Sequence, residues 1–202
     1  DLSKIRWTAD WSSEPDGTGR LQFPAGNYGM WNVNEGIVDG SNRLNGRKSM
    51  REDLDVTRVN PYGEIENLGY GASFLETPYE DGTEMWHRVW MFHTTGFEFT
   101  TNPGTRKWFR QKEINSSGVS QGHLDFNIDC GAGNGPFETA VFNKEAIGMG
   151  WLHMDPNSNG VPIRGVWECY EQYAKSSQTN GIVRWWKNGT LLGEHTGIRT
   201  KV

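Results

Sequence analysis

Short runs in which apolar and polar residues alternate dominate the chain, and Gly, Asn, Pro and Asp separate these runs. This pattern is typical of antiparallel β-strands joined by turns. The alternation is strict over residues 123–130, which predicts a strand with one apolar and one polar face. Further strands are predicted over residues 85–92, 107–114, 166–175, 181–187 and 190–192. The sequence therefore predicts an all-β sandwich or barrel.

Turn signals place the connections between these strands. Asn188-Gly189 is a strong hairpin signal. Clusters of Gly, Asn, Ser and Pro predict loops over residues 131–136, 155–160 and 176–180. Residues 41–60 are predicted as a loop, a strand and a second loop, because their apolar residues are too sparse for an amphipathic helix.

Composition narrows the class of protein. The 202 residues include 10 Trp, 9 Phe and 6 Tyr, which excludes a disordered chain. No apolar run approaches the ~20 residues of a transmembrane helix. Twenty Lys and Arg against 25 Asp and Glu give a net charge of -5, which argues against a nucleic-acid partner. We expect a single domain over residues 1–202, either complete or cut from a longer protein.

The two cysteines, Cys130 and Cys169, are too few and too far apart for a zinc site. They are expected either to form a disulfide in a secreted protein or to be two buried thiols. No cofactor motif is present. A structural calcium ion is one interpretation of two oxygen-rich turns, and ordinary turns are the other. These turns contain Asp10, Glu14 and Asp16, and Asp155, Asn157 and Asn159.

Polar and aromatic side chains share one face on each of three predicted strands. Aromatic rings stack on the apolar face of a pyranose, and planar polar groups hydrogen-bond its hydroxyls. Neighbouring strands of this kind would form a sugar-binding surface, although a solvated sheet with ordinary polar residues has a similar pattern. We expect Trp186 to be exposed and Trp185 to be buried. The predicted binding residues are His123, Asp125, Asn127, Glu168, Tyr170, Gln172, Arg184 and Trp186.

Two further patterns suggest chemistry. Clustered arginines and lysines predict an anionic partner such as a uronate, which Arg can bind with two parallel hydrogen bonds, or else a solvated charge run. They are Arg43, Arg47, Lys48, Arg51, Arg106, Lys107, Arg110 and Lys112. Glu64 and Glu66, two apart on a strand, have the layout of a retaining glycosidase and faintly resemble laminarinase-type hydrolases.

Residues 165–192, GVWECYEQYAKSSQTNGIVRWWKNGTLL, resemble a strand, loop and hairpin of concanavalin A-like jelly-roll proteins. The resemblance is nearest to the polysaccharide lyase-like members of alginate, glucuronan and heparin lyase type, and it extends over about residues 40–195. It implies a β-jelly roll of two packed antiparallel sheets, one of them concave. The family's activity would imply β-elimination at a uronic acid. Arg110 and Gln111, with Arg51, would neutralise the carboxylate, while His123 and Tyr170 would divide the base and acid roles.

Two functions are therefore expected from the sequence. The first is recognition of an extracellular polysaccharide, for which the arginines suggest an anionic chain, by a binding or structural module of an extracellular or viral assembly. The second is a polysaccharide lyase, with a glycoside hydrolase as the less favoured enzyme. Neither function requires nucleic acid, membrane insertion or a cofactor. The protein is expected outside the cell or on a cell or virion surface.

Overall fold

The computed structural model describes a large part of the chain in separate ranges. These are residues 12–13, 15–16, 28–31, 37–51, 72–75, 81–97, 105–114, 120–129, 138–142, 151–153 and 162–201. The chain divides into two compact units, Asp1–Pro78 and Tyr79–Val202. Within the described ranges every regular element is a strand, which confirms the all-β class. No helix in those ranges is long or apolar enough to cross a membrane.

The first unit contains two antiparallel strand pairs. Strands β1 (Tyr28–Trp31) and β4 (Ala72–Leu75) form one pair, and β2 (Ile37–Leu44) and β3 (Arg47–Arg51) form the other. Asn45 and Gly46 connect β2 to β3 with φ angles of 50° and 79°, as a two-residue hairpin turn requires. Residues 41–44, predicted as a loop, therefore belong to a strand. The Asn-Gly dipeptide is the sequence signal that identifies this hairpin.

The second unit contains eight described strands in two antiparallel sheets. One sheet has the order β12-β11-β10-β5 and the other β6-β7-β8-β9. The strands are β5 (Glu84–Phe92), β6 (Thr105–Ile114), β7 (Ser120–Asp129), β8 (Glu138–Phe142), β9 (Trp151–His153), β10 (Trp167–Lys175), β11 (Gly181–Lys187) and β12 (Thr190–Ile198). The strands predicted from alternation over residues 85–92, 107–114, 123–130, 166–175 and 181–187 are confirmed to within a few residues at each end.

The predicted hairpin after β11 is also confirmed. Asn188 and Gly189 adopt φ angles of 50° and 80° between β11 and β12. Two hydrogen bonds join Asn188 to Cys169 of β10. The Asn188 backbone N–H donates to the Cys169 carbonyl at 2.7 Å, and the Asn188 Oδ1 accepts from the Cys169 N–H at 2.8 Å. The turn is therefore fastened to the strand beside it.

The β12-β11-β10-β5 sheet has two unlike faces, since successive residues of a strand point to opposite sides. On one side Tyr170, Ala174, Val183 and Trp185 form a buried cluster, and Val89, Met91, Leu192 and Ile198 pack against it. We call this side the core face, and the prediction that Trp185 is buried is confirmed. The opposite side carries Trp86, Trp90 and Trp186, and we call it the tryptophan face.

Candidate functional site

Exposed indole rings are the main feature of the tryptophan face. Trp86 and Trp90 of β5 are 62% and 44% exposed. The Trp86 ring stacks on Trp186 of β11, with centroids 5.2 Å apart and planes 24° apart, and it lies 4.8 Å from the Tyr173 ring of β10. Trp186 is only partly exposed, because Trp86 covers it. Most of the exposure expected for Trp186 therefore belongs to Trp86, which is not among the residues predicted from the sequence.

Two arginine–glutamate pairs lie among these rings. Nε and Nη2 of Arg88 both donate to Glu171 Oε1, at 2.8 and 2.6 Å, and this hydrogen-bonded pairing raises the pKa of Arg88. Arg184 donates through Nε to Glu194, and its guanidinium carbon lies 5.4 Å from the centre of the Tyr173 ring. Arg184 was predicted as a binding residue, whereas Arg88 was not. The sequence does contain a signal for Arg88, since it lies between Trp86 and Trp90 at every second position of one strand.

Cys169 is a free, buried thiol, as the buried-thiol alternative expects. Burial raises the pKa of Cys169, and the nearby Glu171 carboxylate raises it further, so the thiol stays protonated at neutral pH. Its predicted partner, Cys130, lies outside the described residues. The structure therefore describes one of the two thiols.

The polar residues of the core face are not open to solvent. Glu168, Tyr170 and Gln172 were expected on a binding surface, yet all three are buried. They share their face with Val183 and Trp185 of the neighbouring strand, whose burial is strongly favourable. The exposure predicted for this face is wrong, because its side chains pack in the core with the apolar Val183 and Trp185 of β11.

An ion pair and two hydrogen bonds compensate the buried Glu168. Lys187 Nζ lies 2.7 Å from Glu168 Oε1. The Tyr170 hydroxyl donates to Glu168 Oε2 at 3.0 Å, and the Ile163 N–H donates to the same oxygen at 2.8 Å. Burial, together with the adjacent carboxylate and its hydrogen bond, raises the pKa of Tyr170. The phenol therefore remains protonated and donates its hydrogen bond inside the core.

Other buried polar groups lie on or near the core face. Burial lowers the pKa of His87 to about 4. The pKa of His93 is also lowered to about 4, mainly by burial. Both side chains are therefore neutral at pH 7. His87 lies opposite Gln172 in the β5–β10 register. Neither amide atom of Gln172 has a hydrogen-bond partner within the described residues. This face has the properties of a protein interior.

Backbone positions alone are described for the remaining predicted site residues. In the β6–β7 ladder Arg110 is opposite Asp125, Gln111 is opposite Leu124, and Lys112 is opposite His123. Asn127 is opposite Lys107 in the same ladder. Arg51 ends β3 in the first unit, opposite Ile37. The side chains of these residues are outside the described set, so their convergence on one sugar stays a prediction.

The predicted calcium and hydrolase sites fall almost entirely outside the described ranges. Of their residues, only Asp16 is described, and its Oδ1 lies 2.9 Å from Lys48 Nζ. Among the residues that the structure does describe, no three His, Cys, Asp or Glu side chains are grouped to hold a metal ion. Calcium binding therefore stays a prediction.

No protein-family model, curated protein or solved structure matches the chain. The likeness of residues 165–192 to concanavalin A-like proteins thus stays a prediction from the sequence. What the protein binds has to be inferred from its own side chains. Among the described residues, the exposed tryptophans Trp86 and Trp90 both lie on the tryptophan face.

Proposed function

We propose that this protein binds a polysaccharide on the tryptophan face, as a carbohydrate-binding or structural module of an extracellular or viral assembly. The observation that carries the proposal is the pair of exposed indoles, Trp86 and Trp90, with Trp186 stacked behind the first. Large aromatic side chains left exposed in one strip commonly mark an interaction site. A pyranose ring presents an apolar face of matching shape to an indole.

The geometry around the indoles suits hydroxyl groups. The ring of Trp86 is backed by Tyr173 and Trp186, so its plane is held in place before any ligand arrives. Arg88 and Glu171 lie beside it and offer planar donors and acceptors. Sugar hydroxyls both donate and accept hydrogen bonds, and a preformed platform reduces the ordering cost of binding.

Bases of single-stranded nucleic acid also stack on tryptophan, but their phosphates require a positively charged groove. The arginines of the tryptophan face are each paired with a glutamate. The net charge of -5 adds to the repulsion of a polyanion. These charges favour a glycan over a nucleic acid as the occupant of the face.

We further propose that the strands of the second unit belong to a concanavalin A-like jelly roll. Two four-stranded antiparallel sheets support this assignment, together with the sequence resemblance of residues 165–192. The lyase alternative asks the Tyr170 hydroxyl to reach a sugar. Tyr170 is 3% exposed and its hydroxyl donates a hydrogen bond to Glu168, which does not favour that role.

A glycan array, followed by titration calorimetry with the best ligand, tests the proposed function. The double variant Trp86→Ala, Trp90→Ala should bind at least about tenfold more weakly, if each sugar ring gains even the lower end of the roughly 1–3 kcal/mol that a nucleic-acid base gains by stacking on an aromatic side chain. Ile163→Ala is the matched control, because it removes an exposed apolar side chain outside the sheet. Wild-type affinity in the double variant, or no glycan bound by the wild type, would refute the proposal. An absorbance assay for unsaturated uronate tests the lyase alternative on the same samples.

A further inference from the structure

The charges of the tryptophan face indicate which class of glycan it accepts. Within the described strands this face carries three basic and three acidic side chains, so its net charge is zero. They are Arg88, Lys175 and Arg184, and Glu84, Glu171 and Glu194. Both arginines are already in contact with a carboxylate. A uronate chain would bring further negative charge next to Glu171 and Glu194.

The spacing of the indoles indicates an extended ligand. Trp86 and Trp90 are four residues apart on β5 and point to the same side. At about 3.3 Å per residue their Cα atoms are roughly 13 Å apart, which is more than one sugar ring can cover. One chain running along β5 can place different rings on the two indoles.

Arg88 lies midway between the two indoles on the same strand, and its side chain is mostly exposed. Both of its contacts with Glu171 use Nε and Nη2 on a single carboxylate oxygen. Nη1 of Arg88 and Oε2 of Glu171 take no part in these two hydrogen bonds, so the pair still has a donor and an acceptor for a ligand. Two adjacent hydroxyls of one sugar ring match such a pair, because each hydroxyl can donate and accept.

We propose that the tryptophan face selects a neutral, extended polysaccharide. Rings of one chain stack on Trp86 and Trp90, and the Arg88–Glu171 pair binds the hydroxyls of the ring between them. This inference rests on the proposed function and names its substrate class. It departs from the anionic partner suggested by the arginine content of the sequence.

Calorimetric titrations with oligosaccharides of matched length test this selection: neutral cello- and manno-oligosaccharides against oligogalacturonate, each at low and high salt. The neutral chains should bind more tightly, with an affinity that salt leaves unchanged. A tighter, salt-sensitive affinity for oligogalacturonate would overturn the inference but leave the proposed function intact. Failure of both classes to bind would overturn this inference, and the proposed function would fall with it only if the glycan array also showed no ligand.

Glu171→Gln keeps nearly the same side-chain shape and removes one negative charge. The net charge of the tryptophan face therefore becomes +1. This variant should raise the affinity for oligogalacturonate about tenfold at low salt, since a charge-assisted hydrogen bond from the released Arg88 becomes available. The same change should weaken the binding of the neutral chains by about fivefold, because an amide oxygen is a weaker hydrogen-bond acceptor for their hydroxyls than a carboxylate. Unchanged oligogalacturonate binding in this variant would show that Glu171 does not exclude acidic chains, and would overturn the inference.

Discussion

The two faces of the β12-β11-β10-β5 sheet use similar residues for opposite purposes. Each carries a tyrosine of β10, a tryptophan of β11 and a basic residue paired with a glutamate. The Lys187 side chain on the core face is 8% exposed, whereas the Arg88 side chain on the tryptophan face is 66% exposed. The Lys187–Glu168 pair is closed to water and to ligands. The Arg88–Glu171 pair can exchange part of its hydration for a ligand.

This difference shows that residue type alone does not identify a site. The polar residues Glu168, Tyr170 and Gln172 have the composition of a binding surface, yet they lie in the interior. The Tyr170 hydroxyl and the Ile163 N–H both donate to Glu168, while the Gln172 amide has no hydrogen-bond partner within the described residues. The residues able to meet a ligand are those whose rings and charges remain in contact with solvent.

Replacing the tryptophans of β11 one at a time gives the largest contrast between the faces. Trp185→Ala should lower the free energy of unfolding by about 3–5 kcal/mol, because it leaves a large cavity in the core. Trp186→Ala should lower it by less than about 1.5 kcal/mol and weaken glycan binding instead, because Trp186 is partly exposed. Urea unfolding followed by circular dichroism measures both losses. If the two losses were reversed, the faces of β11 would be wrongly assigned.

Breaking one ion pair on each face gives the next contrast. Lys187→Met leaves the Glu168 carboxylate buried without its cation and should cost about 3 kcal/mol of stability. Arg88→Met on the exposed side is the matched control and should cost less than about 1 kcal/mol. Chemical unfolding at neutral pH reports both values. Equal losses would mean that the core-face pair is as well solvated as the exposed one.

Lowering the pH should also reduce the free energy of unfolding through the core face, with a smaller effect than Trp185→Ala. The pKa of His87 falls from its usual 6.5 to about 4 on folding, so the unfolded chain binds the proton more readily between these values. The stability that the neutral His87 contributes should therefore be fully present above about pH 6.5. It should be lost as the pH falls towards 4, by at most about 3 kcal/mol. The free energy of unfolding measured from pH 7 to pH 4 tests this. His87→Gln should flatten the profile, and a profile parallel to the wild type would count against the assignment.

The strands and hairpins were predictable from sequence because their signals are local. Strict alternation predicted β7, less regular alternating runs predicted β5 and β11, and Asn188-Gly189 predicted the turn before β12. The same local signal at Asn45-Gly46 would have identified the β2–β3 hairpin.

Which face of β10 is buried could not be predicted in the same way. This strand carries polar and aromatic residues on both sides, so its own pattern favours neither. Its buried side is the one that it shares with Val183 and Trp185 of β11, although β11 carries a tryptophan, Trp186, on its other side as well. Register between strands is a non-local property, and shifting it by one residue would exchange the two faces.

The long separation between β5 and β10 in the chain has a consequence during protein synthesis. The Arg184–Glu194 pair closes over 10 residues, whereas the Arg88–Glu171 pair closes over 83. At about 5–20 residues per second, a ribosome needs roughly 4–17 s to add the residues between Arg88 and Glu171. Throughout that interval β5 lacks β10, so Trp86 cannot pack on Tyr173 and Arg88 cannot pair with Glu171. In this sheet β5, which carries the proposed binding platform, is thus the strand whose neighbour is synthesised after the longest delay.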